Sequence, residues 1–211
     1  MSGHLITFEG IDLSGKSVQA TLLYERILES RIDVVILRDP GTTIISEKIR
    51  NILLDKNNLE MSPWTELLLY EAARVQMVEE SIKPALAKGK MIVCDRLYDS
   101  TTAYQGYGRQ LDLGLVAQAN ILGSLGIRPE LTFLIDIDPQ LAYERRIKRN
   151  QEGDRLEQED DEFHYRVREG YLKIARSEND RILIIDGNRK ISEIHEEIWH
   201  IVSKKFKISV T

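Results

Sequence analysis

The sequence contains a single cysteine, Cys94, among its 211 residues. One cysteine excludes an intramolecular disulfide framework and a cysteine-rich zinc site, and it agrees with a reducing compartment. Positive charge is not in excess, because 29 Lys and Arg stand against 34 Asp and Glu and give a formal net charge of −5. This balance argues against a broad cationic surface for nucleic acid, although a local cationic site is compatible with it.

Long apolar runs are also missing. No stretch approaches the roughly 18–20 residues that span a bilayer, and residues 1–10 lack the cationic segment and apolar run of a signal peptide. We therefore expect a cytoplasmic protein with no membrane partner and no nucleic-acid partner. The chain does have 42% hydrophobic and 30% charged residues, which is near the norm for folded proteins and excludes general disorder.

Short continuous apolar runs alternate with longer segments of helical spacing. The runs predict strands that are buried on both faces, because such strands show no polar alternation. They are Leu5–Phe8, Val34–Leu37, Met91–Cys94, Leu131–Ile135 and Ile182–Ile185. The segments that predict helices are Ser14–Ser30, Met61–Lys88, Asp112–Leu125, Pro139–Asn150 and Ile191–Lys205. The alternation predicts one α/β domain over residues 1–211, with a five-stranded parallel sheet flanked by helices.

Two local signals refine this prediction. Pro84 is expected to kink or end the long second helix, and Gly89 is expected to stop it. The acidic run Glu157–Glu162 is interpreted as the solvated start of a helix, where negative charge stabilises the helix dipole.

The segment after the first predicted strand is a candidate phosphate site. Residues 10–17 read GIDLSGKS and match the pattern G-x-x-x-x-G-K-[ST], between an apolar strand and an amphipathic segment. Gly10 and Gly15 permit a tight turn whose N–H groups face an anion, and the next helix adds its positive end. Lys16 supplies a cation for the β- and γ-phosphates, and the Ser17 hydroxyl is a ligand for Mg²⁺. The predicted ATP-phosphate site comprises Gly10, Ile11, Asp12, Leu13, Ser14, Gly15, Lys16, Ser17 and Val18.

A second metal-binding acid is expected where a neighbouring strand ends. Asp95, Asp136 and Asp186 each follow an apolar run, so position alone does not choose among them. Arg96 favours Asp95, because an acid for the metal beside a cation for phosphate suits phosphoryl transfer. We predict that Asp95 approaches Mg²⁺ through water. The alternative is a strand-end acid that caps the following helix.

These features narrow the class of phosphate-loop protein. The N-K-x-D segment with which switch GTPases read guanine is missing, and motor ATPases and helicases are usually longer. A short chain with Asp-Arg after its third strand and an arginine-rich late segment indicates a kinase for small phosphate acceptors.

Five separated motifs resemble the thymidylate (dTMP) kinase family. In chain order they read FEGID at 8–12, RDPGT at 38–42, YEAAR at 70–74, DRLYDS at 95–100 and AYQG at 103–106, and DRLE at 154–157 extends the similarity. The resemblance implies a nucleoside monophosphate kinase-like fold that transfers the γ-phosphoryl of MgATP to dTMP, giving dTDP and ADP. It also implies an acceptor-binding region near 38–110, a lid near 144–157 and a homodimer.

The resemblance assigns roles in the acceptor pocket. Tyr70 would stack on thymine, and Arg74 would donate to the thymine O4 atom and so disfavour cytosine. Tyr104 would crowd the sugar 2′ position, while Arg38 and Arg96 would hold the dTMP phosphate. The residues assigned to dTMP are Asp12, Arg38, Asp39, Pro40, Tyr70, Arg74, Arg96, Ser100, Thr101, Tyr104 and Gln105.

Some of these positions depart from the family or allow a simpler reading. Tyr70 stands where Phe is usual and adds a hydroxyl that needs a partner, and Asp39 stands where Glu is more frequent. The alternative for Arg74 is a solvated cation on a helix surface. The alternative for Tyr70 is a side chain that only fills the core. Ser100 and Thr101 are otherwise helix caps.

Catalytic charge is expected from the lid. Leu13 occupies the place where some family members carry a catalytic arginine, so this loop cannot supply that charge. The bacterial type, which this chain resembles, supplies it from the lid. The segment Glu144–Arg155 is rich in arginine, and we predict Arg149 and Arg155 at the transferring phosphoryl and Arg145 against adenine. The predicted catalytic set is Lys16, Asp95, Arg96, Arg149 and Arg155. Simple ion pairing on a helix surface is the alternative for each lid arginine.

Two other functions stay open on the sequence. One is another nucleotide or deoxynucleoside kinase of the same fold with a different acceptor. The other is a regulatory protein that binds ATP without rapid chemistry.

Overall fold

A parallel five-stranded sheet forms the centre of the protein. The computed structural model describes residues 3–148 and 153–208. The strands are β1 (His4–Glu9), β2 (Val34–Arg38), β3 (Met91–Asp95), β4 (Leu131–Asp136) and β5 (Ile182–Asp186). They pair in the order β2-β3-β1-β4-β5. The predicted α/β architecture is confirmed, and every predicted strand is present and runs one residue further at its carboxyl end.

Helices connect the strands. Their bounds are α1 Lys16–Glu29, α2 Ile44–Leu54, α3 Pro63–Met77, α4 Lys83–Ala87, α5 Tyr98–Thr101, α6 Leu113–Ser124, α7 Pro139–Lys148, α8 Asp161–Ser177 and α9 Ile191–Phe206. Two π-helical turns, Val78–Ile82 and Thr102–Gly108, follow α3 and α5. The sequence did not predict α2, and it predicted only the start of α8.

The long predicted helix over 61–88 is divided. The i→i+5 turn at Val78–Ile82 separates α3 from α4, and Pro84 lies in the first turn of α4. Proline has no N–H and clashes with the carbonyl four residues earlier, so the regular hydrogen-bond ladder is interrupted just before it. The prediction of a local break at Pro84 is confirmed.

Each face of the sheet is covered by its own set of helices. Alternate residues of β1 point in opposite directions, so Ile6 packs with α1 and α9 in one cluster, while Leu5 packs with α3 and the π-turn that follows it in another. No helix within 3–148 or 153–208 is long and apolar enough to cross a membrane.

The strand ends at the middle of the sheet carry the predicted site residues. β1 lies between β3 and β4, so the connections leave it in opposite directions and open a crevice at its carboxyl end. The register sets Asp95 beside both Phe8 and Arg38. The phosphate loop and the segments after β2 and β3 therefore meet at this edge.

Candidate active site

The loop at 10–17 closes around a buried cation. Gly10 and Gly15 have φ angles of 139° and 101°, which residues with a side chain rarely adopt. A Cβ atom on Gly10 would also lie 2.4 Å from Ile135 O. Lys16 is buried, and its Nζ donates to Ile11 O at 3.4 Å. Burial and the nearby Arg96 charge lower the pKa of Lys16. The loop thus has the tight glycine turns that the sequence pattern predicted, and its role in holding the ATP phosphates stays a prediction.

Besides the cleft that Asp12 lines, three cavities border the loop. Leu13, Ser14, Gly15 and Val18 line the cavity that also contains Arg145. Ile11 and Asp12 line a second, and Ser17 lines a third. Seven of the nine predicted phosphate-site residues therefore line cavities beside this loop.

Among the three strand-end acids, Asp95 is distinguished by a buried carboxylate oxygen without a hydrogen-bond partner in the described part of the chain. Asp136 is held by Arg168 through two hydrogen bonds of 2.8 and 3.0 Å, and Asp186 accepts from the backbone N–H of Asn188 at 2.9 Å. Asp95 Oδ1 is buried and has no hydrogen-bond partner among the described residues. Asp95 and Ser17 line the same cavity of about 820 Å³. The geometry therefore favours Asp95 as the acid of a metal site.

A cleft of about 490 Å³ lies beside the loop and collects the predicted acceptor residues. All of them except Arg38 line it, and Arg38 lies in the adjoining cavity with Ser17 and Asp95. The lining residues are Asp12, Asp39, Pro40, Arg50, Leu54, Tyr70, Arg74, Arg96, Ser100, Thr101, Tyr104, Gln105, Asp154 and Leu156.

Asp12 and Arg96 join the cleft to the phosphate loop. Arg96 donates to Asp12 Oδ1 at 2.6 Å and to Gly10 O at 2.9 Å, and the Tyr104 hydroxyl donates to Asp12 Oδ2 at 2.9 Å. Burial alone would raise the pKa of Asp12, but the charges of Arg96 and Lys16 and the bond from Tyr104 hold it well below its usual range. Asp12 is therefore a fixed anion between two cations.

The far end of the cleft is built around Arg74. This arginine is only 1% exposed. It donates to Asp39 Oδ2 at 2.5 Å, Glu71 Oε1 at 2.5 Å and Thr101 Oγ1 at 2.7 Å. Burial raises the pKa of Asp39 even though Arg74 opposes the rise. The reading of Arg74 as a solvated cation is wrong, and the short arm of Asp39 still reaches it.

A buried acid under Arg96 was not predicted. Glu9 Oε2 accepts from Ser100 Oγ at 2.6 Å and from the Tyr171 hydroxyl at 3.0 Å. Arg96 Nη1 donates to the same two hydroxyls at 3.0 and 2.9 Å. Burial, and then the charge of Asp99, raise the pKa of Glu9 to about 7. Ser100 and Tyr171 thus connect Glu9 to the guanidinium that borders the cleft.

Sequence reasoning also missed the part of the cleft that α2 supplies. Arg50 lines the cleft and donates to Pro40 O at 3.1 Å. Burial and the charges of Arg38 and Arg96 lower the pKa of Arg50. A signal for this helix was present, since Ile45, Ile49, Ile52 and Leu53 recur at helical spacing.

Two arginines of α7 lie against the phosphate loop. Arg145 donates to Leu13 O at 2.9 Å and to Gly187 O at 3.0 Å, on the outer side of the loop. Arg146 donates to Glu157 O at 2.5 Å and lines a cavity with Asp12. Both side chains are therefore near the loop but bound to backbone carbonyls.

The two lid arginines assigned to catalysis are differently placed. Arg149 lies outside the described residues. Arg155 is buried, donates to Leu53 O at 2.8 Å and lies 2.6 Å from a Glu66 oxygen, at the base end of the cleft and not beside Lys16. Its role at the transferring phosphoryl stays a prediction.

The chain was also compared with known proteins. A family model described as thymidylate kinase matches residues 8–198. The thymidylate kinase of Thermoanaerobacter sp. (strain X514) is 46% identical over 204 residues, covering 97% of this chain and 99% of that protein. The thymidylate kinase of Sulfurihydrogenibium sp. (strain YO3AOP1) is 45% identical over 196 residues, covering 93% and 95%. The crystal structure of thymidylate kinase from Ehrlichia chaffeensis has a TM-score of 0.78 at 35% identity and covers 96% of this chain and 99% of that one.

These matches extend over nearly the whole chain, including the five motifs that carry the resemblance and the DRLE segment at 154–157. They confirm the predicted nucleoside monophosphate kinase-like fold and the prediction of an ATP-using transferase for dTMP, and they do not favour the two alternative functions. The chain belongs to the thymidylate kinase family.

Proposed function

We propose that this protein transfers the γ-phosphoryl of MgATP to dTMP bound in the 490 Å³ cleft, giving dTDP and ADP. The observation that carries the proposal is the position of Asp12. It belongs to the phosphate loop, lines the acceptor cleft and is bonded to Arg96 at 2.6 Å. The two nucleotides therefore meet end to end at this residue.

Positioning and charge neutralisation do the catalytic work, and no protein nucleophile is needed. Lys16 and the loop N–H groups hold the ATP phosphates, while Arg96 and Arg38 hold the dTMP phosphate. These cations offset the repulsion between the two phosphate groups. Asp12 accepts from the sugar 3′-hydroxyl, and Tyr104, held by its bond to Asp12, crowds the 2′ position.

The base end selects thymine. Tyr70 offers a ring face for stacking, worth about 1–3 kcal/mol and indifferent to the base. Arg74 is fixed by Asp39, Glu71 and Thr101 and donates to the O4 atom of thymine. Cytosine presents an amino group there, so its donor would face another donor.

Ser17 and Asp95 would hold Mg²⁺, with Asp95 acting through water. Both offer oxygen, which Mg²⁺ prefers, and the orphaned Asp95 Oδ1 is a buried acceptor that needs a partner. When bound, the metal neutralises charge on the phosphates of ATP. Ser17 and Asp95 would hold it in the cavity that both side chains line.

The chain works as a single kinase domain over 1–211, with an acceptor region near 38–110 and a lid near 144–157. It forms a homodimer through the outer faces of α2, α3 and α6. Ile44, Leu68, Ile121 and Leu122 on these helices are 63–76% exposed, so these helices offer apolar side chains for a contact between two copies. Leu68→Glu is expected to shift the mass measured by light scattering from dimer to monomer.

An acceptor panel tests the proposed function. With MgATP, kcat/KM is measured for dTMP, dUMP, dCMP, dAMP, UMP and thymidine. The proposal predicts the highest value for dTMP. A preference for thymidine indicates a nucleoside kinase, and ATP binding without turnover on any acceptor indicates a regulatory protein.

A further inference from the structure

A buried carboxylate lies behind the base end of the cleft. Glu66 is in the first turn of α3 and has 0% exposure. It lies one helical turn before Tyr70 and two turns before Arg74, so the three side chains share a face of α3. The four-residue spacing that relates Tyr70 to Arg74 thus extends back to Glu66.

Three hydrogen bonds and one ion pair occupy the oxygens of Glu66. Oε1 accepts from Gln105 Nε2 at 2.9 Å and from Arg109 Nε at 3.1 Å. Oε2 accepts from Arg109 Nη2 at 3.0 Å and lies 2.6 Å from Arg155 Nη2. A carboxylate has about four acceptor positions, so Glu66 has none left for a substrate. It acts on the site through the side chains it holds.

The charge of Glu66 determines how Gln105 is turned. Burial alone would raise the pKa of Glu66, but the bonds and charge of Arg109, together with Gln105 and Arg155, lower it below its ordinary value. An ionised carboxylate only accepts hydrogen bonds, so Gln105 must turn its NH₂ group toward it. The amide oxygen of Gln105 is then the group left for a ligand in the cleft that Gln105 lines.

The same carboxylate holds the lid. Arg155 connects Glu66 to the carbonyl of Leu53 at the end of α2. Asp154 and Leu156, on either side of Arg155, line the acceptor cleft. Fixing Arg155 therefore fixes the lid segment that borders the base end.

We propose that Glu66 is a positioning residue that seats both the Gln105 amide, which faces the base, and the lid residue Arg155. The inference rests on the proposed function, because it concerns the base of dTMP. Thymine carries a hydrogen on N3 that an amide oxygen accepts, whereas N3 of cytosine has only a lone pair. A Gln105 amide in a fixed orientation favours thymine. Without Glu66 the amide group can rotate by 180° and form a hydrogen bond with either base.

The test compares kcat/KM with MgATP for dTMP and dCMP in the wild-type chain, E66Q and E159Q. Glu159 is the matched control, since among the described residues it pairs with the same Arg109 Nη2 atom as Glu66, at 2.7 Å, and not with Gln105 or Arg155. We expect E66Q to lower the dTMP-to-dCMP ratio by about tenfold or more, mainly through the KM for dTMP, and E159Q to change it by less than about threefold. Hydrogen exchange at residues 153–160 is expected to be faster in E66Q than in E159Q.

A second variant separates the loss of Glu66 from the change in net charge, which could itself cause misfolding. E66Q leaves Arg109 and Arg155 with one carboxylate between them, whereas E66Q combined with R109Q keeps the net charge of the network. The double variant is expected to lose discrimination as E66Q does. A dTMP-to-dCMP ratio within about threefold of wild type in a folded variant would overturn the assignment of Glu66 and leave the proposed function standing. A wild-type chain inactive on dTMP would refute the proposed function instead.

Discussion

The phosphate end and the base end of the active site are built in different ways. The phosphate end is one continuous loop, 10–17, with a single buried lysine, Lys16, that donates to the loop carbonyl of Ile11. The base end is a network of charged side chains from distant segments, in which Arg74 and Glu66 are each held by three other residues. A backbone cradle depends on few side chains, whereas a buried ionic network depends on every member. A substitution at the phosphate end should therefore lower mainly the catalytic rate. A substitution at the base end should lower both the stability of the fold and the specificity for the base.

Lys16→Ala is expected to have the largest effect on rate. It removes the side-chain cation of the cradle, so kcat should fall on the order of 10³-fold, while the midpoint of thermal unfolding changes little. Steady-state kinetics and a thermal melt measure both. Lys83→Ala is the control, because Lys83 is an exposed lysine paired with Glu79. A kcat within tenfold of wild type would contradict the cradle.

Arg74→Ala breaks the base end. It leaves Asp39 and Glu71 as unpaired buried carboxylates, so the free energy of unfolding should fall by about 3 kcal/mol. The KM for dTMP should rise far more than the KM for ATP. Denaturant unfolding and two-substrate kinetics test this, with the exposed Arg128→Ala as control. Equal changes in the two KM values would place Arg74 outside the base pocket.

Glu9→Gln tests the buried acid that Ser100 and Tyr171 connect to Arg96, through the pH dependence of stability. The folded pKa of Glu9 is about 7, against an ordinary 4.5, so the folded state holds this proton more tightly. Its contribution to stability is full below the ordinary pKa and is lost as pH rises through about 7. The unfolding free energy of wild type minus that of E9Q should therefore fall by about 2–3 kcal/mol between pH 5 and pH 8. A constant difference would mean that Glu9 titrates normally.

Asp12→Asn is expected to have the smallest effect, spread over both ends. It neutralises the anion that Arg96 and Tyr104 share, so kcat/KM should fall about tenfold to a hundredfold with either substrate varied. Kinetics with each substrate varied in turn measure this. A loss confined to one substrate would show that Asp12 serves one nucleotide only.

The strands and the phosphate loop were predictable because their signals are local. Buried parallel strands read as continuous apolar runs, and the glycine pattern lies between a strand and a helix. The helix α2 was missed although its apolar spacing is regular, and with it the cleft residue Arg50. The start of α8 was placed near Glu157–Glu162, and the helix begins at Asp161.

The base end could be predicted only in part. The resemblance of the YEAAR motif to the family identified Tyr70 and Arg74, and their four-residue spacing placed them on one helical face. The hydrogen bonds from Arg74 to Asp39 and Thr101 depend on tertiary contacts of segments far apart in sequence. Glu9 lies inside a quoted motif, yet its partner Tyr171 is more than 160 positions away, so no local signal joins them. The π-turn at Thr102–Gly108, which bears Tyr104 and Gln105, has no sequence pattern that predicts it.

The central claim is that the two nucleotides meet at Asp12, between Lys16 and Arg96. A crystal structure of the chain with ADP and dTMP tests it most directly. We expect the ADP phosphates in the 10–17 loop, the dTMP phosphate on Arg96 and the thymine beside Arg74. Thymidine monophosphate bound outside the cleft, away from Arg96, would contradict it.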